Sequence, residues 1–134
     1  MSEVHALVDF GICVILWLVQ CIIYPSFLHM EGASMIDWHK AYVFRFTWII
    51  APLMILQLIC AAWAVWAFGT ALSWLVLILV LTCWGLSFFV SVPLHRQIDQ
   101  GDPTQIKRRR LIWTNWPRTL LWTTIFVLGQ WSAS

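Results

Sequence analysis

The chain has 134 residues, of which 61% are hydrophobic and 10% are charged, and its formal net charge is +2. A water-soluble domain usually carries about 25% charged residues, so this composition excludes a soluble globular domain and favours one that is solvated by lipid. The length allows a single domain, which we expect to occupy residues 1–134.

Four apolar runs follow one another along the chain, and as helices of at least about 20 residues each is long enough to cross the hydrocarbon layer of a bilayer. They lie at about residues 4–24, 38–68, 70–94 and 111–131. Pro25 follows the first run and is expected to end or kink that helix, and Pro52 is expected to kink the second. Very few residues separate the second run from the third, so these two form a hairpin. The sequence therefore predicts an all-α fold, a bundle of four transmembrane helices with antiparallel neighbours.

The cations are distributed unevenly among the predicted loops. All 8 lysine and arginine residues lie in or near the first and third loops, whereas the second loop and both termini carry none. By the positive-inside rule, loops one and three are cytoplasmic and both termini lie outside. We therefore expect a multi-pass protein of the inner (plasma) membrane. The basic run at 107–110 is expected to contact anionic lipid head groups, and it is too short to indicate a nucleic-acid partner.

Three of the four runs carry one polar stripe each at helical spacing. In lipid, such stripes turn inward and pack against one another, so they predict a polar interior to the bundle. The stripes contain His5, Asp9, Gln20 and Tyr24 in the first run, Ser87, Ser91 and His95 in the third, and Asn115, Arg118 and Trp122 in the fourth. In the second run Tyr42 and Arg45 share a face with Cys60 and Trp63.

Three charged residues lie inside apolar runs, where a charge at mid-helix costs about 2.5–3.5 kcal/mol on insertion scales. Asp9 is four residues from His5, so the two are expected to face the interior and to contact each other or a neighbouring helix. Arg45 and Arg118 lie at the opposite end from Asp9. Facing one another, they would repel unless an anion such as a carboxylate, a lipid phosphate or a haem propionate lay between them. The alternative is that each extends to the head groups or pairs with a loop carboxylate.

The histidines allow several kinds of site. His29, His39 and His95 lie on the predicted cytoplasmic side, and Asp99 follows His95 at the spacing by which a carboxylate orients an imidazole. Two imidazoles across a bundle are able to ligate a haem iron, and three with a carboxylate are able to hold a divalent metal. These three histidines are the metal candidates.

These observations predict one cavity between the helices, open toward the cytoplasmic interface and flanked by Trp84 or Trp122. Its expected lining residues are Tyr24, Tyr42, Arg45, Ser91, His95, Asn115 and Arg118.

The second half of the chain carries the segment VPLHRQI at residues 92–98, a polar loop, and the segment WTNWPRT at 113–119. This pattern resembles the anthrone oxygenase-like family of small four-helix membrane proteins, in which a Pro-Asn segment ends the third span and a Trp-x-x-x-x-Arg segment opens the fourth. His95 stands where that family usually has asparagine. The layout, with His5 at the start of the first span, is also similar to the haem-binding membrane protoporphyrinogen oxidases. Both resemblances imply redox chemistry on a polycyclic aromatic compound.

Three functions are compatible with these features. The first is a membrane-embedded binding or redox protein for a flat lipophilic molecule, such as haem b, a quinone or a polyphenol. The second is a non-catalytic accessory subunit, whose tryptophan-rich outer faces pack against other membrane subunits or further copies of the chain. The third is a transporter, which is disfavoured because the two halves show no internal repeat.

Overall fold

The computed structural model describes residues 3–131 and consists of helices joined by short connections. No strand occurs in this described range, so the predicted all-α class is confirmed. Residues 1, 2 and 132–134, to which the predicted domain extends, lie outside the described residues. The four long helices are α1 (Glu3–His29), α2 (Gly32–Phe68), α3 (Ala71–Asp99) and α4 (Ile106–Trp131).

Three of these helices, α1, α2 and α3, are long and apolar enough to cross a membrane by length and composition. The fourth has the length, with 26 residues, but does not reach the same hydropathy. It begins with the basic run 107–110 and carries Asn115 and Arg118 within its span.

Helix α1 contains a π-helical turn at Val19–Ile23, directly before Pro25. The N–H of Tyr24 donates to the carbonyl of Val19, five residues earlier, instead of four. A proline has no N–H to donate, and its ring clashes with the carbonyl one turn before it, so the wider turn lets the chain continue as a helix. Helix α1 therefore does not end at Pro25 but runs on to His29.

Helix α3 repeats this arrangement at Ser87–Ser91, directly before Pro93. Here the N–H of Val92 donates to the carbonyl of Ser87. The helix continues to Asp99, beyond its predicted end at residue 94, because the π turn accommodates the proline. Both π turns contain buried polar residues, Gln20 in α1 and Ser87 and Ser91 in α3.

Two residues connect α2 to α3. Helix α2 runs through Pro52 without interruption and stops at Phe68, where Gly69 takes the left-handed conformation with φ of 59° and donates its N–H to the carbonyl of Val65. Glycine adopts this conformation without a steric penalty. Thr70 then caps α3, since its hydroxyl oxygen accepts from the N–H of Ser73 at 3.1 Å.

The helices pack in a closed ring. Each contacts its neighbours in sequence, and α4 completes the ring against α1. The main apolar core has members from all four helices, including Ile12, Met54, Val80 and Trp122, which are buried. A second core around Phe27 packs near the connections at the other end, where Leu94, Ile98 and Leu111 contribute.

At this end of the bundle, Arg108 joins the end of α1 to the connection between α3 and α4. Its guanidinium donates to the carbonyls of Phe27 at 2.7 Å and Met30 at 2.6 Å, and its Nε donates to the carboxylate of Asp102 at 3.1 Å. Arg108 is 2% exposed, so it does not contact lipid head groups as the sequence predicted for the whole basic run. The last carbonyls of an α-helix have no α-helical partner, and here the guanidinium donates to two carbonyls at the end of α1. Its neighbours Arg109 and Arg110 are exposed.

Asp102 completes this arginine clamp. Its carboxylate also accepts from the backbone N–H groups of Lys107 and Arg108, in the first turn of α4. Burial acts to raise the pKa of Asp102, but hydrogen bonds from Arg108 and Lys107 outweigh it and hold the pKa below its usual value. The ionised carboxylate therefore stabilises the fold above the unfolded-state pKa, and this stabilisation is lost as the pH falls through the lower, folded-state pKa.

Replacing Arg108 by leucine is expected to lower the free energy of unfolding by about 3–5 kcal/mol, because it leaves a buried carboxylate without its counter-charge. The measurement is denaturant unfolding of the purified protein in detergent. Arg109→Leu, at an exposed position one residue away, is the control and should leave stability nearly unchanged. Equal stability of the two variants would contradict a clamp at Arg108.

Candidate functional site

The interior contains two polar groups of side chains, one toward each end of the bundle. Toward the α2–α3 connection, the amide of Gln57 joins three helices. It donates to the carboxylate of Asp9 on α1 at 2.6 Å and accepts from the indole N–H of Trp122 on α4 at 2.9 Å. His5 Nε2 lies 3.6 Å from the second oxygen of Asp9, and all four side chains are buried. The prediction that His5 and Asp9 face the interior and contact each other or a neighbouring helix is confirmed.

Toward the Arg108 end, the guanidinium of Arg118 lies inside the bundle and is 6% exposed. One of its nitrogens donates to the hydroxyl of Ser91 at 2.7 Å and to the amide oxygen of Asn115 at 3.2 Å. Asn115 in turn donates to the amide oxygen of Gln20 at 2.8 Å, in the π turn of α1. The guanidinium also lies over the ring of Trp122, 5.4 Å from its centroid. These partners are all uncharged, and no carboxylate pairs with Arg118 among residues 3–131.

A continuous chain of hydrogen bonds runs beside Arg118. The hydroxyl of Tyr24 lies 3.1 Å from Nε2 of His95, and Nδ1 of His95 lies 2.9 Å from Nε2 of His39. Nδ1 of His39 lies 2.7 Å from the carboxylate of Asp99. The two imidazoles are stacked, with centroids 5.0 Å apart. Asp99 therefore orients His39, and only through it His95, rather than orienting His95 directly as the spacing suggested.

A cavity of about 390 Å³ lies beside His95 and Arg118. Its body is apolar and aromatic, and its rim between α2 and α3 includes the exposed residues Thr47, Ile55 and Phe88. Side chains with hydrogen-bonding groups also line it. They are Tyr24, Tyr42, Thr47, Trp84, Ser87, Ser91, His95 and Arg118, with Arg96 and Asp99 nearer the surface.

Three donors at this cavity have no hydrogen-bond partner within the described residues. They are Nε of Arg118, the hydroxyl of Tyr42 and the indole N–H of Trp84, and each of these atoms is buried. A buried donor without a partner costs about 1–3 kcal/mol. All three donors belong to side chains that line the cavity, which favours a ligand that carries hydrogen-bond acceptors.

The structure brings most of the predicted pocket together, with two differences. Tyr24, Tyr42, Ser91, His95 and Arg118 line the cavity, and Asn115 lies behind it as a partner of Arg118. Arg45 does not face Arg118 but lies exposed on the outer surface of α2. The reason is angular, since Arg45 is about 100° around the helix from Phe46, which faces the cavity.

The predicted metal ligands are separated. His39 and His95 contact each other, but His29 is exposed at the end of α1. Within the described part of the chain, no group of three or more His, Cys, Asp or Glu side chains is arranged to hold a metal ion.

The interior contacts of Gln57 and Arg108 were not predicted from the sequence. Gln57 belongs to no predicted stripe, although a polar amide inside an apolar run is itself a signal of an interior contact. The buried position of Arg108 had no local signal, because it is one of four successive basic residues.

No family model matches the chain, and searches of curated proteins and of solved structures return no significant match. The class that the fold defines is a small all-helical protein with three helices apolar enough to span a membrane. The resemblance to the anthrone oxygenase-like family stays a prediction.

Replacing Gln57 by leucine should destabilise the fold by about 1–3 kcal/mol, because Asp9 and Trp122 both lose their buried partner. Thermal unfolding in detergent measures the effect. The exposed Gln130 gives a matched control, and Gln130→Leu should unfold like the wild type. A Gln57→Leu protein as stable as that control would show that the amide does not hold the helices together.

Proposed function

We propose that this protein is a four-span membrane protein that binds a flat lipophilic molecule with oxygen atoms at one edge, a quinone or a polyphenol. The carrying observation is that Tyr42, Trp84 and Arg118, each with a buried donor that has no partner among the described residues, line an otherwise apolar cavity. A volume of about 390 Å³ falls within the range of small-molecule sites. An apolar body with a few convergent polar groups is the usual design of such sites.

The donors match a carbonyl or phenolic oxygen better than they match an apolar lipid chain. Arg118 adds a positive charge, so the cavity also favours an oxygen that carries negative charge. The aromatic rings of Phe46, Trp84 and Phe88 also line the cavity and suit a flat partner.

Haem b is the weaker candidate for this cavity. Both ring nitrogens of His95 are already engaged, Nε2 with Tyr24 and Nδ1 with His39. Ligation of iron by His95 requires Nε2 to give up Tyr24, and His39 is held by Asp99 on its other side. The engaged nitrogens therefore favour a hydrogen-bonded ligand over a metal-bound one.

A second candidate function is that of an accessory subunit in a larger membrane complex. It rests on the tryptophans of the outer surface. Trp48 is 71% exposed, Trp66 76% and Trp113 74%. Surfaces of this kind are available to lipid, to other membrane subunits or to further copies of the chain.

For orientation, we propose antiparallel neighbouring helices, with the Arg108 end of the bundle in the cytoplasm of a cell whose inner membrane the chain crosses. The connection between α1 and α2 and that between α3 and α4 meet at this end. Arg96 and the basic run 107–110 flank the α3–α4 connection and Lys40 follows the α1–α2 connection, whereas no lysine or arginine lies near the α2–α3 connection. The cavity then opens in the cytoplasmic half of the bilayer, and both termini lie outside.

Arg118→Leu should weaken binding of decylubiquinone by about tenfold to a hundredfold, the equivalent of a lost hydrogen bond to a charged group. Isothermal titration calorimetry in detergent measures the affinity. Arg45→Leu removes the same side chain from the exposed face of α2 and should bind like the wild type. Equal loss in both variants, or no binding by the wild type, would contradict the quinone site. A haem Soret band in the purified protein that disappears in His95→Ala would replace the quinone with haem.

Reporter fusions after Ser134 test the proposed orientation. We expect alkaline phosphatase, which folds only outside the cytoplasm, to be active there, and a cytoplasm-dependent fluorescent protein to be dark. The reverse pattern would invert the bundle and place the cavity in the outer half of the bilayer.

A further inference from the structure

We propose that Tyr24, His95, His39 and Asp99 form a proton relay that removes a proton from a hydroxyl of the bound ligand and delivers it to the surface. The ligand is then held as its oxyanion beside Arg118. This inference rests on the proposed function, and it narrows the ligand to a flat aromatic compound with an acidic hydroxyl, a phenol or a quinol.

Tyr24, His95 and Asp99 all line the cavity, and Asp99 is the member of the relay nearest the surface. Tyr24 is 2% exposed and His39 is fully buried, whereas the side chain of Asp99 is 28% exposed. The three successive separations are 3.1, 2.9 and 2.7 Å, each a hydrogen-bond distance. No water molecule is needed to bridge the four groups.

The relay requires one arrangement of the hydrogen atoms. In it, Nδ1 of His39 donates to the carboxylate of Asp99, and Nε2 of His39 is an acceptor. His95 then donates from Nδ1 to His39, and its Nε2 accepts from the hydroxyl of Tyr24. In this arrangement every hydrogen points toward Asp99, and the oxygen of Tyr24, which also interacts with Arg118, accepts from the ligand hydroxyl.

Four concerted transfers along this chain have the net effect of moving one proton from the ligand to Asp99. The ligand hydroxyl passes its proton to the oxygen of Tyr24, and Tyr24 passes its own to Nε2 of His95. Nδ1 of His95 releases a proton to Nε2 of His39, and Nδ1 of His39 releases one to Asp99. One O–H bond is broken on the ligand and one is formed on Asp99, and no electron changes hands.

The charges around the cavity favour this direction. Arg118 lines the cavity and has a buried Nε without a partner in the described structure, so an oxyanion supplies the acceptor that it lacks. Asp99 passes its proton to solvent, since it is partly exposed. The titratable or charged groups that face the relay are Tyr42 from α2, Arg96 from α3 and Arg118 from α4.

The test uses a heptyl-substituted hydroxycoumarin, a flat phenol whose neutral and ionised forms absorb at different wavelengths, and its methoxy analogue. Both are added to the full-length protein in detergent at a mildly acidic pH, where the free probe is neutral. We expect the bound hydroxycoumarin to show the anion spectrum and to release about one proton per molecule, as calorimetry in two buffers of different ionisation enthalpy measures. The methoxy analogue should release none.

Variants separate the relay from simple binding. Tyr24→Phe keeps the ring but removes the relay oxygen, so the anion of the bound probe should appear much more slowly than in the wild type. Asp99→Asn should slow the appearance of the anion in stopped-flow absorbance by roughly a hundredfold, the usual contribution of a positioned acid or base, and Asp99→Glu should restore much of the rate. Asp37→Asn, at an exposed position of α2, is the control and should ionise the probe at the wild-type rate.

Two failures have different meanings. If neither coumarin binds, the proposed function fails and this inference fails with it. If both bind but the hydroxycoumarin stays neutral, or if Tyr24→Phe ionises it as the wild type does, the relay is overturned and the binding site stands.

Discussion

Inside lipid a polar side chain has no water to bond with, so its position depends on finding a partner on another helix. This constraint organises the present bundle. Gln57 bonds to Asp9 on α1 and to Trp122 on α4, across the bundle, and Arg118 reaches Ser91 and Asn115. Hydrophobic burial gives little drive for association between helices in lipid, because the lipid chains are as apolar as the side chains. The polar contacts therefore set how the helices are rotated, and with that they set which residues meet at the cavity.

The two prolines that follow π turns contribute to the same end. A π turn contains one more residue than an α turn, and it commonly occurs at functional positions. Here the turn before Pro25 carries Gln20 and leads into Tyr24, and the turn before Pro93 carries Ser91. Gln20 bonds to Asn115, and Tyr24 and Ser91 line the cavity. The wide turns thus provide polar groups at one level of two different helices.

The helical period was sufficient to predict the inward faces of α1, α3 and α4, because their polar residues recur at spacings that share one face. The same reasoning failed for α2, where Arg45 lies outside and His39 and Gln57 lie inside. This helix is apolar almost all round, and its two inward polar residues are far apart in sequence, so no stripe is visible. The pairing of Asp99 with His39 was also out of reach. Spacing along one helix reveals possible partners on that helix, whereas the rotation of a neighbouring helix decides which partner is used.

The position of the cavity mouth determines whether the concentration of a ligand in water or in the membrane governs its binding. Thr47, Ile55 and Phe88 form part of its rim, on the outward surfaces of α2 and α3, where hydrocarbon surrounds the helices in a bilayer. Under the proposed function, a ligand that arrives by this route dissolves in the lipid first and reaches the mouth by diffusing in two dimensions. Its relevant concentration is a mole fraction in the membrane, set by partition between lipid and water. An intrinsically weak site then saturates at low aqueous concentrations, and the apparent affinity falls as the amount of lipid per protein rises.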